Sequence, residues 1–116
     1  MENQLTILSE SLDKKLEVLQ KIREYNKRQE EIFSAEEVDM SLFDDAVEEK
    51  QRLIDEVVHL DEGFEIMYEK LAKELEGNRE RYAAQIRELQ KKVSRVTELS
   101  VTVQAQEARN KKLIEN

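Results

Sequence analysis

Cysteine, proline and tryptophan are absent from the chain, and glycine occurs twice, at Gly63 and Gly77. Each absence excludes something. Without cysteine there is no disulfide framework and no thiolate metal site. Without proline, and with two glycines in 116 residues, there is little of the chemistry that turns draw on. A sheet protein of this length needs many turns, so the chain must be built from a few long helices. Aromatic residues make up only 5%. No apolar run approaches the roughly 20 residues of a membrane span. The first residues, Met1-Glu2-Asn3-Gln4, lack the basic and apolar regions of a signal peptide, which predicts a protein that stays in the cytoplasm.

What is present is charge in a regular apolar frame. Charged residues are 40% of the chain and hydrophobic ones 39%, with a net charge of −8. Long helices with one apolar stripe and a solvated face satisfy both figures. The negative sum argues against nucleic acid as a partner. Residues 1–38 carry 6 basic and 9 acidic groups, residues 39–76 carry 4 and 13, and residues 77–116 carry 9 and 5. An acidic middle followed by a basic last third predicts two adjacent antiparallel helices, with Asp55–Glu74 beside Arg79–Arg95.

The apolar spacing defines three segments. The first, about 4–33, carries Leu5, Leu8, Leu12, Leu16, Leu19 and Ile22 at helical steps. Asn26 and Gln29 then fall where apolar residues should follow, which predicts a less firmly packed far end. Asp39 and Ser41 are candidate N-caps for the second segment, about 42–75. Its seam reads Phe43, Val47, Lys50, Ile54, Val57, Asp61, Phe64, Tyr68, Leu71 and Leu75, a heptad pattern broken by Lys50 and Asp61. Gly63 lies inside it, at a cost of about 1 kcal/mol relative to alanine, so either a neighbour packs closely there or the helix bends. Glu76-Gly77-Asn78 reads as the turn that ends this helix, with Asn78 available to cap the next. The third segment, about 79–114, has the seam Tyr82, Ile86, Leu89, Val93, Val96, Ser100, Val103, Glu107, Asn110 and Ile114. Its β-branched run from Val93 to Val103 has lower helix propensity. The expected fold is all-α: one domain, residues 1–116, of three long antiparallel helices in a coiled-coil-like bundle. Its last part, residues 93–116, is expected to be marginally packed. Glu107 and Asn110 mark either a register-setting polar layer or the point where the core stops and an exposed tail begins.

No constellation carries catalysis. His59 is the single histidine, without cysteine or a second histidine to share a metal. The carboxylate pairs Glu36/Glu37, Asp44/Asp45, Glu48/Glu49 and Asp61/Glu62 could do acid–base work only in a desolvated cleft, and a rod of helices offers none. There is no phosphate-cradling glycine loop and no nucleophile elbow. The basic cluster Arg79, Arg81, Arg87, Lys91, Lys92 and Arg95 lacks interleaved aromatics and is better explained by pairing with the acidic segment. The expectation is therefore a non-enzymatic protein without cofactor or metal, which acts by binding another protein.

Read as a whole, the chain resembles the FlgN family of flagellar export chaperones. The matching features are the leucine-rich first helix from Leu5 to Leu19, the stretch Glu48-Glu49-Lys50-Gln51-Arg52-Leu53-Ile54 followed by Leu60-Asp61, and a long third helix ending in a polar tail. The resemblance implies a cytoplasmic chaperone that holds the hook–filament junction proteins FlgK and FlgL before type III secretion. It also implies that the C-terminal part engages the cargo, here Val93–Ile114. The apolar side chains of that stretch, Val96, Leu99, Val101, Val103, Leu113 and Ile114, are the candidate partner-binding residues. A FliT-like secretion chaperone and a structural coiled-coil adaptor subunit are the alternatives, and a homodimer is compatible with each.

Overall fold

The computed structural model describes residues 2–115 and contains three helices: α1 (Glu2–Phe33), α2 (Met40–Leu75) and α3 (Ala83–Glu115). They form a rod whose Cα atoms extend 61 × 19 × 18 Å. Direction follows from the cross-links. Lys14 and Lys15 of α1 meet Glu56 and Asp61 of α2, while Gln29 meets Lys50, so these two helices run antiparallel. Lys92 of α3 meets Ser9 and Asp13, and Asn110 meets Asn26, so α3 runs parallel to α1. The chain is an up–down–up bundle.

The helix ends obey local chemistry. Asp39 caps α2: its Oδ1 accepts from the backbone N–H of Ser41 at 3.0 Å and of Leu42 at 3.2 Å. These are two donors that the first turn would otherwise leave orphaned. Phe33 and Phe43 close this corner, ring centroids 5.6 Å apart. At the other corner Gly77 adopts φ 87°, the left-handed conformation that terminates helices most cheaply at glycine. Asn78 does not cap α3, which begins only at Ala83. Its backbone N–H donates to Leu75 O and its Nδ2 to Glu74 O, so it finishes α2 instead.

α1 is the central helix, packed by both α2 and α3. Leu12, Val18, Leu19 and Ile22 pack with Val96 and Val103 of α3 and with Leu53, Ile54 and Val57 of α2. Leu5 and Leu8 pack with Leu71, Leu75 and Tyr82 at one end. Both α2 and α3 lie closely against α1, yet no Cα of α2 comes within 8 Å of one of α3. The expected pairing of acidic α2 with basic α3 is therefore not what the fold uses. The acids Glu56 and Asp61 are met by lysines of α1, and Lys92 of α3 is met by Asp13 of α1. Magnitudes explain the choice. An exposed ion pair contributes about 0–1 kcal/mol, whereas burying one leucine side chain contributes about 1.5–3 kcal/mol. The helix that buries most of its apolar residues, α1, takes the centre, and the charges adapt.

The third helix is continuous through its β-branched run. Thr97 and Thr102 donate their hydroxyls to the carbonyls of Val93 and Glu98, one turn back. Val96, Val103 and Asn110 are buried, so residues 93–115 are packed on α1 and are not a marginal segment.

Candidate functional site

Two features of the rod go beyond ordinary core. The first is a polar layer that runs through all three helices near the α1–α2 corner. Asn26 and Gln29 are 1% and 3% exposed, far more buried than their loss of apolar character implied. Lys50 Nζ donates to Gln29 Oε1 at 2.7 Å and to Glu107 Oε2 at 3.0 Å. Asn110 Nδ2 donates to Asn26 O at 2.9 Å, and Gln106 joins through Asn26 Nδ2 and Arg23 O. Lys50–Glu107 is the one ion pair between α2 and α3 among the described residues. Of the two roles open to Glu107 and Asn110, the structure assigns the first: they belong to a buried layer, and the bundle does not stop there. Such layers specify register at some loss of stability, because each member needs its own partner on another helix. Asn26 Oδ1 and Glu107 Oε1 remain without one. The layer sits beside a cleft of about 430 Å³ lined in part by Lys50, Glu107, Lys111 and Ile114.

The second feature is the seam between α2 and α3. Because these helices do not close on each other, each shows two adjacent apolar lines, one spent on α1 and one left over. On α3 the spent line includes Val96, Val103 and Asn110. The other steps by sevens through Ile86, Val93, Ser100, Glu107 and Ile114, with Val93 43% and Ile114 44% exposed. On α2 the corresponding line is Val47, Ile54, Asp61 and Tyr68, with Val47 38% and Tyr68 50% exposed. The Tyr68 ring stacks on Phe64 at 6.0 Å, which holds it over the seam. Midway along, a cleft of about 160 Å³ is lined by Asp61 and Phe64 of α2, by Val93, Val96 and Thr97 of α3, and by Ser11, Leu12 and Lys15 of α1, with Lys15 ion-paired to Asp61. The edge of α2 is acidic: Asp55, Glu62, Glu65 and Glu69 are exposed and enter no ion pair among the described residues.

The sequence-derived partner-binding residues divide. Val96 and Val103 are 5% and 8% exposed and belong to the core with α1, and Leu99 is packed against the same cluster. Val96 and Val103 are withdrawn from any free surface, and Leu99 is half-buried. The core continues past the polar seam positions because α1 supplies polar partners, Asn26 to Asn110 and to Gln106. Ile114 lies on the open seam, Leu113 is half-buried beside it, and Val101 is exposed on the outer flank of α3. Val47, Tyr68 and Val93 were assigned to the core and are the residues that sequence reasoning missed. The available signal was the side-by-side pairing of apolar lines, such as Ile54 with Val57 and Tyr68 with Leu71. A helix with two such lines serves two neighbours.

Among the described residues no helix is long and apolar enough to cross a membrane, and no three His, Asp or Glu side chains converge to hold a metal ion. No family model, curated protein or solved structure matches the chain.

Proposed function

We propose that this protein is a non-enzymatic chaperone that holds an amphipathic helix of a client protein in the seam between α2 and α3. One observation carries the reading: on the facing lines of two long neighbouring helices Val47, Tyr68, Val93 and Ile114 stay 38–50% exposed, interrupted by the polar Asp61, Ser100 and Glu107. A fourth helix laid in that seam completes a four-helix bundle, and helix-in-groove docking is a recurring mode of recognition. Charge narrows the client further. The acidic, unpaired edge of α2 favours a helix with a basic flank on that side. With the resemblance to FlgN-type proteins, the clients are the junction proteins FlgK and FlgL, held in the cytoplasm before type III secretion.

The test is direct binding of the purified full chain to such junction proteins by calorimetry. Tyr68→Glu and Val93→Glu are both at exposed positions, so circular dichroism should be unchanged while binding weakens at least tenfold. Val101→Glu, on the outer flank of α3, should bind as the wild type does. Unchanged affinity in both seam variants would remove the seam from the reading. No binding of junction proteins at all would favour the structural adaptor.

A further inference from the structure

The opposite side of α2 carries a second, independent surface. Gly63 stands mid-helix at the energetic penalty already noted, and no neighbour among the described residues explains it. A Cβ built there meets no atom within 4 Å, and its φ lies in the ordinary range. The helix does not bend there for want of space, nor does α1 press close. Clefts of about 260 and 230 Å³ meet at Gly63 and Met67. Around them Ile66 is 59% and Ile7 47% exposed. Glycine inside a helix is the residue that permits another backbone to approach closely, so the missing neighbour lies outside the chain.

The identity of that neighbour is written in the spacing. The face of α2 centred on Gly63 reads Arg52, Glu56, His59, Gly63, Met67, Lys70 and Glu74. The steps are four, three and four on each side of the glycine, so the stripe is symmetric about it. Laid antiparallel on a copy of itself with Gly63 on Gly63, it places Arg52 against Glu74, Glu56 against Lys70 and His59 against Met67. Both charged matches are of opposite sign, and two-fold symmetry repeats each. A parallel copy would set every charge against its like. Lys70 and Glu74 enter no ion pair among the described residues, while Glu56 would exchange its Lys14 contact at 4.0 Å, and Arg52 its own-turn pair with Glu49, for the match across the two-fold axis.

We propose that this stripe is the two-fold interface of a homodimer in which the α2 helices of two copies cross antiparallel at Gly63. A self-complementary patch is what an isologous interface requires. The absent Cβ atoms let the helix axes approach at the crossing, and Ile7 and Ile66 supply apolar cover beside it. This surface is separate from the α2–α3 seam, so its test is independent of client binding.

The experiment is sedimentation equilibrium on the full chain over a micromolar to submillimolar series. The expected result is a reversible monomer–dimer equilibrium. Glu56→Lys or Lys70→Glu alone sets like charges against each other twice per dimer and should weaken association about five- to tenfold. The two substitutions together restore opposite signs and should recover it. Gly63→Leu fills open space in the monomer, so helicity should be kept while dimerisation is lost. A chain that stays monomeric throughout, a dimer indifferent to Gly63→Leu, or a double variant no better than either single one would each overturn the proposal.

Discussion

Replacing Lys50 by methionine tests whether the polar layer works as a linked set. The substitution keeps most of the aliphatic stem and deletes the ammonium, which in the wild type serves Gln29 Oε1 and Glu107 Oε2 at once. The Lys50 side chain is 11% exposed, so its partners lose a buried donor. A buried acceptor left unsatisfied costs about 1–3 kcal/mol, and that full cost falls on Gln29. Glu107 is different: its side chain is 38% exposed, so solvent screens the ion pair and its ionic part shrinks to a few tenths of a kcal/mol, although Oε1 itself is buried. The expected loss is therefore about 1.5–3 kcal/mol, below the 3–5 kcal/mol typical of breaking a fully buried pair. A concurrent Gln29→Leu change removes the orphaned acceptor and puts a methionine and a leucine side by side. The double variant should regain most of the loss, because apolar replacement of both partners is close to neutral. Urea denaturation of the four species closes the cycle, and a coupling above about 1 kcal/mol is expected. Additive effects would refute the reasoning, since they would mean that the two side chains do not depend on each other. A stabilised Lys50→Met single variant would refute it as well.

Two further outcomes follow from the placement of α3 and from the helix ends. Val103→Glu puts a carboxylate into the core beside α1 and should destabilise the fold by several kcal/mol, whereas Val101→Glu, two residues away and 60% exposed, should change the unfolding free energy by less than about 0.5 kcal/mol. Similar midpoints for the two would contradict the burial pattern of α3. Asp39→Ala removes two hydrogen bonds at the start of α2 and Gly77→Ala forces a side chain into positive φ, and each should cost about 1 kcal/mol in thermal unfolding without loss of helix content.

The arrangement also explains why a strongly acidic helix and a basic one can coexist in a bundle without pairing. The lysines of α1 neutralise the inner acids of α2, and its Asp13 receives Lys92 of α3. Among the described residues the outer acids Asp55, Glu62, Glu65 and Glu69 of α2 enter no ion pair along the seam, and Lys70 and Glu74 enter none on the far side. The surplus is thus sorted onto two faces, one of single sign and one of alternating sign, and these are the faces to which the client helix and the second copy are assigned.

Much of the architecture was already determined by the sequence. The scarcity of glycine and proline limits the chain to a few turns, the leucine spacing of α1 and the heptads of α2 and α3 define the helices, and Asp39 begins α2 and Gly77 ends it where local hydrogen bonding requires. These signals are legible because each depends on residues within one or two turns of one another. Which helix pairs with which was decided only in three dimensions. Charge blocks predicted α2 against α3, but pairing follows the apolar area each helix can bury, and that is a competition among all three. The same holds for residues at the margin. Asn26, Gln29 and Asn110 look like interruptions along the chain and become buried members of a layer because polar groups from other helices meet them. Val47, Tyr68 and Val93 look like core and become surface because α1, lying between α2 and α3, keeps those helices from closing on each other.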